Sequence, residues 1–288
     1  MVRVVVVLLN SIYTIFGMIL MIVSNSAASY SYKEGDIIFS DYSEGIFSYD
    51  FSNESLKDIY RTNKTFINRI SRFGVGGIVF SECRFDGECE IKKIDKGSVE
   101  VTALGSGSCP VVIENSLYFC DRSTISGKAV TVLKHVEINS GKTKFNGAVT
   151  VVKGVNPDRL VVGSEFLYVV DDMWELSFYN YIDDMLINSY KKYAPLFYWK
   201  EKSALVAYSL NDKKYYLVRL ENKSIVENEV ELSFKGAPIM IFDGKGVVYS
   251  KAVREGIFGE AHHVFYQGLY GKESVLIKYK NINSGFVY

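Results

Sequence analysis

Four carboxylates recur at one phase of this chain. Asp41 closes the segment IIFSD, Glu82 closes IVFSE, Asp121 closes LYFCD and Asp171 closes LYVVD. Acids placed at one phase around a ring could converge on a cation or a cationic ligand. The same recurrence suits a structural role, in which each carboxylate accepts backbone N–H groups from the turn that follows it. A feature reused copy after copy favours that capping role. The fourth copy, YVVDDMW, adds Asp172 and Trp174 at the turn. An aromatic ring beside two acids reads either as a recognition spot or as packing between sheets.

Other reactive residue types are sparse. The histidines are His135, His262 and His263. Adjacent strand residues point to opposite faces, so His262 and His263 are expected to be one exposed and one buried, not a joint metal site. His135 lies in an alternating run and reads as surface or packing. No GxSxG, HExxH or phosphate-binding loop occurs, and no motif asks for a metal or another cofactor.

The cysteines point to a compartment. Cys83 and Cys89 flank RFDGE, and Cys109 and Cys120 flank PVVIENSLYF. An even count in an exported chain favours disulfides. Three pairings are open, of which the two local ones, each tying neighbouring strands of a hairpin, are the simplest. The absence of CxxC argues against a zinc site.

Export is suggested by residues 1–28. One cation, Arg3, precedes an apolar run to Val23, and Ser26 and Ala28 suit the small-residue positions of a signal-peptidase site. Residues 4–23 are also long enough for an uncleaved anchor, although Asn10 and Ser11 interrupt them. The expectation is a signal peptide over 1–28 and one domain over 29–288, secreted or periplasmic, with no transmembrane segment after cleavage. With 33 basic and 33 acidic residues in 288 and no dense cationic run, the chain offers no field for nucleic acid.

The elements that must carry these residues follow a rhythm. The apolar runs ending at Asp41, Glu82, Asp121, Asp171, Leu210 and Lys251 are 41, 39, 50, 39 and 41 residues apart. Each is β-branched and aromatic, as buried strands are. Each is followed by a polar turn and an alternating strand such as GIFSYDF or KYYLVRLE. Further outer strands, such as SVEVTAL, and preceding runs, such as PIMIF, complete four strands in about forty residues. The four prolines, Pro110, Pro157, Pro195 and Pro238, stand just before first strands, where a missing amide donor is tolerated. The longer interval is read as an extended hairpin over 138–154, and FGVGG at 73–77 as a loop between repeats. The fold class expected is all-β, a six-bladed β-propeller with four antiparallel strands per blade. Either SYSYK near the N-terminus or SGFVY at the C-terminus could close the ring.

A family resemblance runs through the same segments. GAPIMIFDGKGVVYS (236–250) resembles the blade opening of TolB-like six-bladed propellers, with APLFYWKEKSALVAYS (194–209) a weaker copy. IIFSDYSEGIFSYDF is similar to YWTD-type blades, with Phe39-Ser40-Asp41 in place of the aromatic-Thr-Asp segment. The resemblance implies a rigid disc that binds a protein or a small-molecule ligand in the envelope or extracellular space. Tyr42, Arg84, Arg122, Asp171, Asp172 and Trp174, in loops between second and third strands, are the ligand-binding candidates. The alternative is a propeller enzyme, a hydrolase or lyase working at the central channel. Sequons at Asn53, Asn63 and Asn222 are possible glycan acceptors in a eukaryotic secretory pathway. Amino-terminal sequencing of the exported protein is expected to begin at Ser29; a first residue of Met1 would mean that the segment is retained.

Overall fold

A computed structural model describes residues 32–138, 145, 148–222, 224–234, 236, 238–255 and 259–288. The proposed signal peptide and much of the expected 138–154 hairpin lie outside the described residues. Strands dominate what is described, as the β-branched and aromatic composition requires. The first sheet contains β1 (Ile37–Asp41), β2 (Gly45–Asp50) and β3 (Ser55–Arg61). The second runs β4 (Phe66–Phe73), β5 (Gly77–Cys83), β6 (Cys89–Ile94), β7 (Val101–Ser106). The third runs β8 (Ser108–Ile113), β9 (Ser116–Ile125), β10 (Lys128–Glu137), β11 (Val149–Lys153).

The next sheet has seven strands: β12 (Leu160–Val162), β13 (Phe166–Val170), β14 (Glu175–Asn180), β15 (Met185–Trp199), β16 (Ala204–Ser209), β17 (Tyr215–Glu221) and β18 (Ser224–Val230). Its middle strand changes partner part-way. Residues 185–192 of β15 pair with β14, and 193–199 pair with β16. The last sheet holds β19 (Met240–Phe242), β20 (Gly246–Glu255), β21 (Gly259–Gly268) and β22 (Glu273–Lys278). All pairings are antiparallel, and neighbours in the sheet follow one another in sequence until the C-terminus.

There the order breaks. β23 (Ser284–Val287) returns to the first sheet and pairs with β1, Ile37 opposite Val287 and Ser40 opposite Ser284. Of the two candidate closing segments, it is therefore SGFVY that supplies the strand. Two backbone bonds brace the seam: Gly35 N–H donates to the Tyr288 carbonyl, and Tyr288 N–H donates to the Asp36 carbonyl, each at 2.9 Å. Ser284 and Asn283 reach into the second sheet. Ile70 N–H donates to Ser284 Oγ at 2.9 Å, and Asn283 Nδ2 donates to the carbonyls of Ile67 and Asn68 at 2.6 Å.

All six apolar runs of the sequence rhythm become strands paired on both sides within their sheets: β1, β5, β9, β13, β16 and β20. Sheets stacked on both sides bury such strands on both faces. That is why IIFSD and GIVFSEC are buried at every residue instead of alternating. Outer strands such as β7 and β22 face solvent for much of their length. The core is divided into six clusters among the described residues, each lying between consecutive strand sets. Ile38 and Ile46 meet Ile70 and Phe80 in one, and Phe39 and Phe47 meet Ile241 and Val248 in another.

One expectation is overturned. FGVGG is not a loop between repeats; it is the tight turn joining β4 to β5 within one sheet, because Phe73 and Gly77 pair directly. Gly76, with φ of 101°, lies under the C-terminal tyrosine, where a Cβ would collide with the Tyr288 hydroxyl. His263 is buried and His262 exposed, as strand geometry demands.

The seam leaves no room at Gly285. A Cβ there would collide with the Ile241 side chain and sit 2.7 Å from the Ile38 carbonyl oxygen. Gly285→Val is expected to cost about 1–3 kcal/mol by overpacking, read as a lower urea midpoint with an unchanged slope. A midpoint equal to wild type would show that closure does not depend on this strand's position.

Candidate binding cleft

The site is built on two hairpins in adjacent sheets. Cys83, the last residue of β5, stands directly opposite Cys89, the first of β6, and the two form a disulfide. The second disulfide, Cys109–Cys120, joins β8 to β9 in the next sheet, with Cα atoms 5.5 Å apart. Both expected local pairings are present. Each removes unfolded-chain freedom over a short loop, a stabilisation of roughly 2–3 kcal/mol. Between the two braced hairpins opens a cleft of about 840 Å³, with Cys83, Cys89 and Cys120 in its walls.

Aromatic rings form one rim. Tyr42, in the turn after β1, stacks on Phe66 at 4.4 Å between centroids, and Phe66 meets Phe85 at 5.7 Å. Phe85 is 73% exposed. A ring that far out in water, in line with two others, is an available stacking surface.

The charges in the cleft divide into spent and unspent. Glu82 is buried and accepts from Tyr60 Oη at 2.8 Å, from Lys92 Nζ at 2.7 Å and from Thr65 Oγ1. Burial by itself would raise the pKa of its carboxyl. The hydrogen bonds from Lys92, Thr65 and Tyr60 outweigh that and hold it below the ordinary glutamate value. Burial and the Glu82 carboxylate together push the Tyr60 phenol well up. Asp121 is paired with Lys134 Nζ at 2.6 Å, and Arg84 lies 3.0 Å from both Asp86 and Glu88. Arg122 is exposed and has no ion pair or hydrogen-bond partner among the described residues. Its guanidinium lies over Gly87, where a Cβ would come within 3.3 Å of Nη1.

Of the six candidate residues, Arg84 and Arg122 line this cleft and Tyr42 abuts its rim through Phe66. Asp171, Asp172 and Trp174 sit elsewhere, in the turn from β13 to β14. There Asp171 Oδ1 accepts from the N–H groups of Met173 and Glu175, each at 2.8 Å. Trp174, at φ 66°, lies beneath the Arg159 guanidinium at 5.5 Å. The recurrent carboxylates therefore divide by role. Asp41 and Asp171 cap turns, Asp41 accepting also from Asn281 N–H at 2.9 Å, whereas Glu82 and Asp121 hold lysines. No group of three or more His, Cys, Asp or Glu able to hold a metal ion occurs among the described residues.

Phe66, Phe85 and Asn68 were not singled out in the sequence. Phe85 had a signal, an apolar residue inside a turn clamped by two cysteines. Phe66 and Asn68 open an ordinary strand and had none.

No protein-family model matches the chain, and no curated protein matches it in sequence. Solved structures do. TolB from Acinetobacter baumannii superposes with a TM-score of 0.59 at 11% identity, over 87% of this chain and 65% of that one. A protein of unknown function from Bacteroides caccae gives 0.54 at 12%, over 88% and 98%. PorZ, a surface component of the type-IX secretion system of Porphyromonas gingivalis, gives 0.51 at 11%, over 86% and 33%. The fold is a TolB-like β-propeller. At these identities the likeness is one of architecture, and the propeller spans about two thirds of TolB and one third of PorZ.

In the propeller, the cleft lies between the turn from β5 to β6 and the strands β8, β9 and β10 of the next sheet. Glu82 links its two walls to pH. A carboxyl whose folded pKa lies below its unfolded value contributes stability that is present above the unfolded pKa and lost as pH falls through the folded one. Glu82→Gln is expected to lower stability at neutral pH by about 1–3 kcal/mol. The variant should also lose less than wild type on acidification from about pH 6 to pH 3. Urea titrations at several pH values measure both; parallel pH profiles would remove Glu82 from the account.

Proposed function

We propose that this chain is an exported six-bladed propeller whose cleft between the second and third blades binds a protein or small ligand. Two features support six blades in the five sheets. The strand β15 serves two partners in succession, so the seven-stranded sheet divides into two four-strand sets that share one continuous strand. The six core clusters, each between consecutive sets, match that number. Export is supported by the sequence of residues 1–28 and by two disulfides, which persist in oxidising compartments. No helix among the described residues is long and apolar enough to cross a membrane.

The observation that carries the binding reading is the unspent chemistry of the cleft. An unpaired guanidinium, Arg122, faces a cavity of about 840 Å³ whose walls are held by disulfides, and an exposed ring, Phe85, stands beside it against Phe66 of the wall. Asn68, also in the wall, has a buried Oδ1 without a partner among the described residues. A ligand donor would satisfy it. Acid–base catalysis would need a carboxyl poised near neutrality; Glu82 is held in the opposite direction, ionised by Lys92.

The test is recovery of a partner from the protein's own envelope or secreted fraction, with wild type and a Phe85→Ala, Arg122→Ala double variant run in parallel. Recovery is expected to fall roughly tenfold or more with the variant, at unchanged melting temperature. Equal recovery by both would reject the cleft. Turnover of a metabolite panel with no partner recovered would reject binding in favour of an enzyme.

A further inference from the structure

A strand inside a sheet is ordinarily covered to its end by its neighbours. β5 and β16 are paired through their last residues, Cys83 with Phe66 and Ser209 with Tyr193, and β1 and β13 to within one residue of theirs. β9 departs from that pattern. Its pairing with β8 stops at Cys120, opposite Ser108, while β9 itself runs on to Ile125. The chain that would have covered the rest leaves for the second sheet, where Gly107 N–H donates to the Cys89 carbonyl at 3.0 Å. The cleft opens there, with Gly107 and Ser108 in its lining alongside Cys120, Asp121 and Arg122. β20 also overruns, past Tyr249, but none of its residues lines the cleft.

The overrun of β9 has one paired edge and one bare edge. It pairs with β10 across the two-residue turn Ser126-Gly127, both at positive φ, 52° and 78°. Such a turn makes Ile125 and Lys128 a hydrogen-bonded pair. Antiparallel alternation then aims the N–H and C=O groups of Ser123 and Asp121 at β10, and those of Arg122 and Thr124 away from it. Thr131, opposite Arg122, has the matching phase: its carbonyl accepts from the N–H groups of Gly154 and Val155 at 2.8 and 3.1 Å, on the side away from β9. No hydrogen bond reaches the outward backbone groups of Arg122 or Thr124 among the described residues. Two donors and two acceptors therefore stand in line beside the cleft, in the order an extended backbone matches.

Side chains add a preference. The acids lining the cleft are each paired: Glu82 and Glu90 with Lys92, Asp86 and Glu88 with Arg84, and Asp121 with Lys134. Arg122 is the one charged lining residue without an ion pair among the described residues. A residue opposite it on an added strand would present its side chain to the same face. Taking the cleft as the binding site, we propose that its occupant is an extended peptide segment of another protein. The segment adds to the bare edge of β9 at residues 122–124 and sets an acidic side chain against the Arg122 guanidinium.

A random linear heptapeptide library is the probe, depleted on the Phe85→Ala, Arg122→Ala variant and then selected on the folded wild-type protein. Selected peptides are expected to share an Asp or Glu at one position. Methylating their backbone nitrogens one at a time should weaken binding roughly fivefold or more at every second residue and little between, read by fluorescence anisotropy. Thr124→Pro removes an outward donor without breaking the β9–β10 ladder, and it should weaken binding by a similar factor. If that variant does not fold, the alternation along the peptide is the test on its own. No selected peptide, tolerance of methylation at every position, or equal binding by folded Thr124→Pro overturns strand addition. Selected peptides without a shared acid overturn the chemistry assigned to the occupant. Recovery of an envelope partner that depends on Phe85 and Arg122 but not on Thr124→Pro leaves the cleft as the binding site and removes the added strand.

Discussion

A ring of sheets is stable only if its last sheet is tied to its first, and here that tie is a four-residue strand. β23 supplies the innermost strand of the first sheet from the far end of the chain. Without it β1 would present a bare edge beside the axis, unpaired N–H and C=O groups included. The seam is therefore crowded with bonds that are redundant elsewhere. Ser284 and Asn283 extend the pairing sideways into the second sheet, and Tyr288 is held between Tyr32 at 4.6 Å and the Arg72 guanidinium at 5.0 Å. Each neighbouring core cluster inherits its position from this joint, because sheets that pack face to face have no independent reference.

Polar function is confined by the same geometry. Second strands are apolar on both faces, so charged residues concentrate where strands end and sheets splay. Glu82 shows how far the exception can go: a buried carboxylate is accommodated at the end of β5 only because three donors converge on it from β3, β6 and the loop before β4. The cleft beside it owes its shape to the two covalent clamps and to Gly87, which leaves space under Arg122.

How much of this could be read beforehand depended on whether a feature was local. The second strands were legible because burial on both faces writes itself as an unbroken apolar run, in IIFSD as in IVFSE. Local disulfides were legible for the same reason. Which of the two ends closes the ring was not, since nothing in SGFVY distinguishes a strand that pairs across 244 residues, as Ser40 and Ser284 do, from one that pairs nearby. The carboxylates at one repeat phase looked equivalent, yet Glu82 is one methylene longer than Asp41 and reaches partners on other strands instead of its own turn. Arg69 gave no signal of burial, because an arginine in an alternating strand ordinarily faces water. The convergence of first strands removes part of that water and leaves it half-buried.

The partner exchange within β15 has a consequence for how this ring could be recut. Most strand sets are joined by surface loops, such as residues 62–65 between β3 and β4, where relocated chain ends would break no ladder. Between Lys192 and Tyr193 the backbone passes from one set to the next without leaving the sheet. A circular permutant opened there would sever a strand that two sets hold in common, turning one continuous hydrogen-bonded girder into two frayed ends. The natural seam at β23 and the uninterrupted passage at β15 are thus opposite solutions to one joining problem: the first closes with hydrogen bonds alone, and the second by leaving the backbone whole.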